Sequence, residues 1–426
     1  MIKTIAVERK HTFIWYVVLT ILMFFYMFPF HLVPFGIPDQ LNTNRIASFS
    51  FLLIAIIIRF RRGPKKMEGV AYKEWRSIVL FHIPVFFYMV LLIWMNGLKE
   101  GLDMATILIN DAFTIFIQVY ALFNIFDDVS DFLKVVLYAV LVQTVIIWFS
   151  VIDPTYALTI DTLFNQSEKI IENREYYAAG LGCMAAPGLL VYYLGMIACI
   201  YFAIKRKSSW LVLLYTIMVV TAVMIARTGL LLGIIGYVFL LINLKNKLSS
   251  VLGSVLLVFI ATSVIFLLIG KGEILTFFES RFIRLIGLFN ESEQIQSVSE
   301  LSFFQGYFHA SDTYIPPLSF DTLIGTGITS GSTKTGIHVN VDGGYIRLYV
   351  AYGLILAVFF YIFLAKKLIK TCKGSSDKII KAILLLTIVL VFIGEFKEWY
   401  IYSSCVLVFY FVIALLTPQK MKYESK

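Results

Sequence analysis

Apolar residues in this chain come in long blocks divided by short polar stretches. A helix needs about 20 mostly apolar residues to cross the hydrocarbon core of a membrane. The blocks predict twelve such helices, over 12–34, 46–60, 78–96, 103–125, 132–152, 179–204, 209–226, 228–243, 249–270, 343–365, 380–395 and 399–417. Only Arg227, Thr228 and Gly229 interrupt the pair 209–226 and 228–243. As one straight helix that pair would reach roughly 50 Å, against a core of about 30 Å. It is therefore expected to break at Arg-Thr-Gly and turn back.

Two polar segments between blocks are long, 153–178 and 271–342. A loop as long as the second is usually functional or partly structured. Within it, Phe277, Phe278, Phe282, Leu285 and Phe289 alternate with Glu279, Arg281 and Arg284. That mixture predicts a short helix over 274–289, lying in the interface or covering a cavity. The chain thus reads as three parts: nine spans over 1–270, a large loop over 271–342, and three spans with a tail over 343–426. No internal repeat or low-complexity stretch is visible.

Composition turns this pattern into a class. The chain is 59% hydrophobic and 15% charged, with a mean hydropathy of +0.85, where a soluble domain carries about 25% charged residues. These figures exclude a soluble globular protein, a disordered chain, a collagen and a disulfide scaffold. The predicted fold is an all-α polytopic membrane protein of about twelve spans. The basic segment Met1–His11 leads into the first block, whose exit, Phe28-Pro-Phe-His31, offers no small-residue cleavage site. It reads as a retained first span.

The net charge of +9 gains meaning once its residues are sorted by side. With the N-terminus inside, the inner segments hold most of the 36 Lys and Arg residues. They cluster at Arg59–Arg76, Lys205-Arg-Lys207, Lys245-Asn-Lys247, Lys366–Lys381 and the C-terminal tail. This positive-inside pattern puts both termini in the cytoplasm and leaves no call for a nucleic-acid partner. Cys183, Cys199 and Cys405 lie in apolar runs and Cys372 in a Lys-rich loop, so no external disulfide is expected.

Several residues carry candidate chemistry. Arg227 stands at the outer end of an apolar helix pair, where a charge is costly. Its planar fork of donors suits a phosphate or pyrophosphate; capping of the hairpin by a snorkelling side chain is the other reading. Arg281 and Arg284, three apart, share a helix face and form either a cationic patch or surface ion pairs. The run Gly325–Gly336 is rich in glycine and small polar residues, which lets backbone N–H groups approach a ligand. It lacks the Gly-Lys-Ser/Thr ending of a P-loop. His338 and Asp342 stand at the mouth of the next span, as acid, base or plain surface residues. Asp111 lies inside the fourth span, a functional candidate or a packing residue paired with an arginine or amide. Asp127-Asp-Val-Ser-Asp131 resembles a Mg-binding cluster, but Ser130 and Asp131 also suit a helix cap and first turn, the favoured reading. No metal-ligand spacing appears, and no metal or cofactor is expected.

The run Ala226-Arg-Thr-Gly-Leu-Leu231, the late external loop ending in Leu323-Ile-Gly-Thr-Gly327, then Asp342-Gly-Gly-Tyr-Ile-Arg-Leu-Tyr349 and Gly353 resemble the O-antigen polymerase and O-antigen ligase superfamily. So does Gly394-Glu-Phe-Lys-Glu-Trp399, which is similar to the polar turn those proteins have between their last two spans. The resemblance implies a GT-C-like architecture in the bacterial cytoplasmic (inner) membrane. It also implies metal-independent glycosyl transfer on the outer face, joining oligosaccharide repeat units carried on undecaprenyl pyrophosphate. Donor and acceptor lipids, membrane lipid, and a chain-length regulator and flippase of the same pathway are the implied partners. Arg227 matches the family arginine near the lipid pyrophosphate; Arg281 and Arg284 match the arginines that open the large loop.

Many relatives carry a His-Asn pair before the following helix; here Asp342 lies nearest that position, with His338 four residues earlier. Asp342 and His338 are thus the implied base, and Gly325, Gly327, Tyr345, Arg347 and Lys397 the implied substrate contacts. The arginine usual some distance before Gly-x-Gly is missing, that region reading Ser299-Glu-Leu-Ser-Phe-Phe304. The weak histidine signature favours a polymerase over a ligase that moves polysaccharide to lipid A-core. A flippase or exporter of lipid-linked sugars is the rival of another class, but paired halves with matching broken spans are absent. A purely structural export subunit would leave Arg227 and the Gly-rich loop without a role.

Overall fold

The computed structural model describes residues 13–30, 32, 42–63, 65–96, 102–165, 180–181, 185–225, 228–244, 252–253, 255–256, 316–328, 331–332, 338–339, 343–397, 401 and 405–418. They form α1 (Phe13–Met27), α2 (Thr43–Arg62), α3 (Gly69–Asn96), α4 (Leu102–Ile125), α5 (Val129–Ile152) and a short α6 (Pro154–Ile160) that runs into a π-turn over Asp161–Asn165. Then come α7 (Ala185–Arg206), α8 (Ser209–Ile225), α9 (Thr228–Asn243), a five-residue α10 (Phe320–Ile324), α11 (Gly344–Gly374), α12 (Lys378–Lys397) and α13 (Cys405–Leu416). Two strands of two residues, β1 (Gly331–Ser332) and β2 (His338–Val339), pair antiparallel.

Seven of these helices, α2 to α5, α7, α11 and α12, are long and apolar enough to cross a membrane; α1, α8, α9 and α13 are apolar but shorter. Helices satisfy their own backbone groups, as hydrocarbon demands, and many of their large apolar side chains, among them Phe87, Trp94, Phe113 and Ile355, face outward. The chain is a membrane-embedded helical protein. These helices fall on the predicted spans, whereas 249–270 and the loop helix over 274–289 lie outside the described residues but for four positions.

α2, α3, α5, α11 and α12 outrun the predicted spans, because hydropathy marks the width of hydrocarbon and caps and ion pairs carry helices beyond it, whereas α1 ends at Met27, short of the predicted 34. Asn42 caps α2, accepting from Arg45 N at 3.1 Å. The first turns of α3 hold Glu74, 3% exposed, between Lys367 Nζ at 2.9 Å and Lys370 Nζ at 2.5 Å in the last turns of α11. Lys65 donates to the carbonyls of Phe123 and Phe126, at 3.2 and 2.8 Å, closing the C-terminus of α4; burial pushes its ammonium below the ordinary value. Asp128 is the N-cap of α5, accepting from Asp131 N at 2.8 Å, while Asp131 binds Lys134 and Asp127 binds Arg62. The acidic run is a cap and its ion pairs, with the cap two residues earlier than Ser130. No group of three metal-ligating side chains occurs among the described residues.

α7 is the hub. Of its apolar window 89% is buried, against 22% for α2, and it packs on α5, α8, α9 and α12. The start of α5, the end of α7, the start of α12 and the end of α13 meet around one cleft of about 420 Å³ lined by Asp131, Lys134, Lys205 and Asp377. That is the basic end of the bundle. Alternation along the chain then sends the α8–α9 turn and the start of α11 to the opposite end.

Candidate functional site

Two interruptions of helix shape the end opposite the basic one. The first is the predicted turn-back: α8 ends at Ile225 and α9 starts at Thr228. A Cβ on Gly229 would strike the backbone of Ala222, and one on Gly233 the side chain of Val219 at 2.6 Å. Small residues at these positions let the two helices touch. Buried hydroxyls add to this: Tyr215 Oη of α8 donates to Gly233 O of α9 at 3.0 Å within the hairpin, and Tyr193 Oη of α7 donates to Leu232 O at 2.6 Å, tying the hairpin to its neighbour. Arg227 itself lies outside the described residues.

The second interruption was not anticipated. α11 is two helices joined across Gly353, whose φ of 79° and ψ of 158° are not helical. A break frees carbonyls that the next turn would have used. Here Val350 O accepts from Thr326 N at 2.9 Å and Thr326 Oγ1 at 3.0 Å, and Ala351 O accepts from Gly327 N at 3.0 Å. The donors belong to Gly325-Thr-Gly327, which follows α10. A capping box starts α10: Thr322 N donates to Ser319 Oγ at 3.2 Å and Ser319 N to Thr322 Oγ1 at 2.8 Å.

The fit leaves no room for a side chain. Gly325 has φ +113° and its Cβ would meet the backbone of Tyr352 and Gly353, while a Cβ on Gly353 would meet the backbone of Ile324. Tyr88 of α3 closes the clasp from the side, donating to Ile324 O at 2.7 Å. Gly325 and Gly327, expected to face a ligand, spend their geometry on this joint. The N–H groups of residues 325 to 327 go to the carbonyls of Asp321, Val350 and Ala351.

The clasp holds the first part of α11, which carries Tyr345 and Arg347. Tyr345 is half-buried; its hydroxyl donates to Phe392 O at 2.9 Å, and its ring packs on Tyr361 and Phe396 at 4.7 Å each. Arg347 is half-buried two residues further along. Below them sits Glu395, fully buried, accepting from Tyr361 Oη at 2.9 Å and from Ile401 N at 2.9 Å. Lys397, not Glu395, is the expected contact in this stretch; an acid that close to the end of an apolar run is the signal in the sequence that marks Glu395. Glu395 anchors the turn after α12 to α11, while the aromatic edge of Phe396 stays half-exposed.

The structure therefore sets Gly325 and Gly327 of the expected set against residues 350 to 353 of α11, the helix that carries Tyr345 and Arg347 nearer its start. His338 lies in β2 opposite Ser332, and its side chain is outside the description. So are Asp342, Arg281, Arg284 and the Lys397 side chain. Asp111 is buried in α4, with Oδ2 lacking a hydrogen-bond partner among the described residues; no arginine or amide is seen to pair with that atom. No protein-family model, curated protein or solved structure matches this chain.

Proposed function

We propose that this chain is a polysaccharide polymerase of the O-antigen polymerase and ligase type. In this reading it has about twelve spans, a GT-C-like build and both termini in the cytoplasm. It works in the bacterial inner membrane, joining undecaprenyl-pyrophosphate-linked repeat units at the outer face. The observation that carries the reading is the clasp at Gly353. It gives Gly-Thr-Gly and the segment after Asp342, two of the motifs behind the resemblance, one shared structural purpose at the end of the bundle where the α8–α9 turn also lies.

In the proposed reaction the acceptor hydroxyl attacks the anomeric carbon of the donor. Its proton passes to Asp342, with His338 as the second candidate, and the anomeric C–O bond to pyrophosphate breaks. Arg227 offsets the charge that grows on the leaving pyrophosphate, a role that is worth several kcal/mol when the donors are preorganised. Arg281 and Arg284 assist in holding the donor. Tyr345, Arg347 and Lys397 border the sugar path, and in-line attack inverts the anomeric centre.

The test uses purified protein in detergent with a defined undecaprenyl-pyrophosphate oligosaccharide, products being resolved on a gel. A ladder of longer lipid-linked glycans, lost in Arg227→Ala and strongly reduced in Arg227→Lys, which keeps the charge without the fork, is the expected result. Absence of a ladder from a competent repeat unit, with transfer to lipid A-core instead, would make the chain a ligase.

A further inference from the structure

The basic end carries a charge imbalance that helix packing leaves in place. The last turns of α11 and the first of α12 present Lys366, Lys367, Lys370, Lys373, Lys378 and Lys381. Among the described residues, two acids answer them. Glu74 is shared between Lys367 and Lys370, and Asp377 accepts from the amides of Ile379 and Ile380 as the cap of α12. Lys366 and Lys373 are exposed and have no ion-pair partner among the described residues. Orientation in a membrane calls for cations at this end, but it does not call for three of them, Lys366, Lys370 and Lys373, on one face of α11.

That face continues away from the lysines as an aromatic strip. Phe363 stacks on Phe81 of α3 at 4.5 Å between centroids and 23°, and Phe359 follows at 6.4 Å and 24°. Lys367 Nζ lies 5.1 Å from the centre of the Phe363 ring, joining the charged and apolar parts. Phe359 and Ile362 stay half-exposed on the outer surface of a helix long enough to cross the membrane.

We propose that the α3–α11 face is a binding site for an anionic phospholipid, its phosphate on Lys366, Lys370 and Lys373 and one acyl chain along Phe363 and Phe359. Charge complementarity selects the headgroup, and the strip selects a lipid over a soluble phosphate. Lysines near a membrane surface each raise affinity for anionic lipid by about fivefold. Glu74 is held by Lys367 and Lys370, so removing Lys366 and Lys373 spares that contact.

Native mass spectrometry of the full chain in detergent, titrated with phosphatidylglycerol or phosphatidylcholine, tests the site. Phosphatidylglycerol should be retained and phosphatidylcholine not. Lys366→Gln with Lys373→Gln should weaken retention roughly twentyfold, and Phe359→Ala should weaken it less. Arg61→Gln with Lys66→Gln, which removes equal charge from α2 and the turn after it, should leave retention unchanged. Equal loss in this second pair would reduce the effect to bulk charge and overturn the proposal. Displacement of the lipid by millimolar inorganic phosphate would overturn it as well, assigning the lysines to a soluble anion.

Discussion

The turn at Arg227-Thr-Gly229 and the break at Gly353 both interrupt an apolar helix at a glycine, and they are built differently. At the first, the chain reverses, and the contacts that hold it are local: α9 lies back on α8 through Gly229 and Gly233. At the second, the chain goes on in a new direction. The freed carbonyls of Val350 and Ala351 are satisfied by residues 326 and 327, from a different stretch of sequence. A reversal can be supported by its own two arms. A break within a continuing helix needs an outside donor, and hydrocarbon offers none.

The comparison makes Gly353 the more fragile point. Its φ and ψ lie in a region essentially reserved for glycine, worth about 1–3 kcal/mol of strain for other residues, and a Cβ there also meets backbone. Gly353→Ala should cost about 3 kcal/mol or more, read as a fall in the thermal unfolding midpoint of the detergent-solubilised protein. An unchanged midpoint would break the contrast. Gly229→Ala comes next: the Ala222 backbone must give way, an overpacking cost of about 1–3 kcal/mol. Gly233→Ala should fall at the lower end of that range, because a valine side chain yields more readily than backbone.

The smallest effects sharpen the distinction. Tyr88→Phe removes the hydroxyl that closes the clasp, and Tyr193→Phe the one that ties the hairpin to α7; each should cost about 1 kcal/mol. Only Tyr88→Phe should loosen the long-range joint, seen as faster amide hydrogen exchange at residues 324 to 327. If Tyr193→Phe loosened those amides as much, the two interruptions would be one coupled unit.

Much of the fold was legible because hydropathy and length act locally. The reversal near Arg227 follows from a run too long for the membrane, and α8 and α9 end where that arithmetic requires. The break at Gly353 was hidden because Gly353-Leu-Ile sits inside an apolar run that reads as one span. Its cause, residues 325 to 327, is remote in sequence. For the same reason the part that Gly325 and Gly327 play in a helix joint, through their positive φ and their amides, could not be read from the glycine-rich run alone. Glu395 was missed because its partners, Tyr361 and the Ile401 amide, meet it only in the folded bundle.

The proposed reaction requires that the turn at Arg227 and the segment after Asp342 face one compartment and build one site. In a background with the four native cysteines replaced, single cysteines at positions 227, 342 and 373 can be treated with a membrane-impermeant maleimide in intact cells with permeabilised outer envelopes. Labelling is expected at 227 and 342, and at 373 only after the membrane is opened. Labelling of 227 and 342 from opposite sides would contradict that requirement.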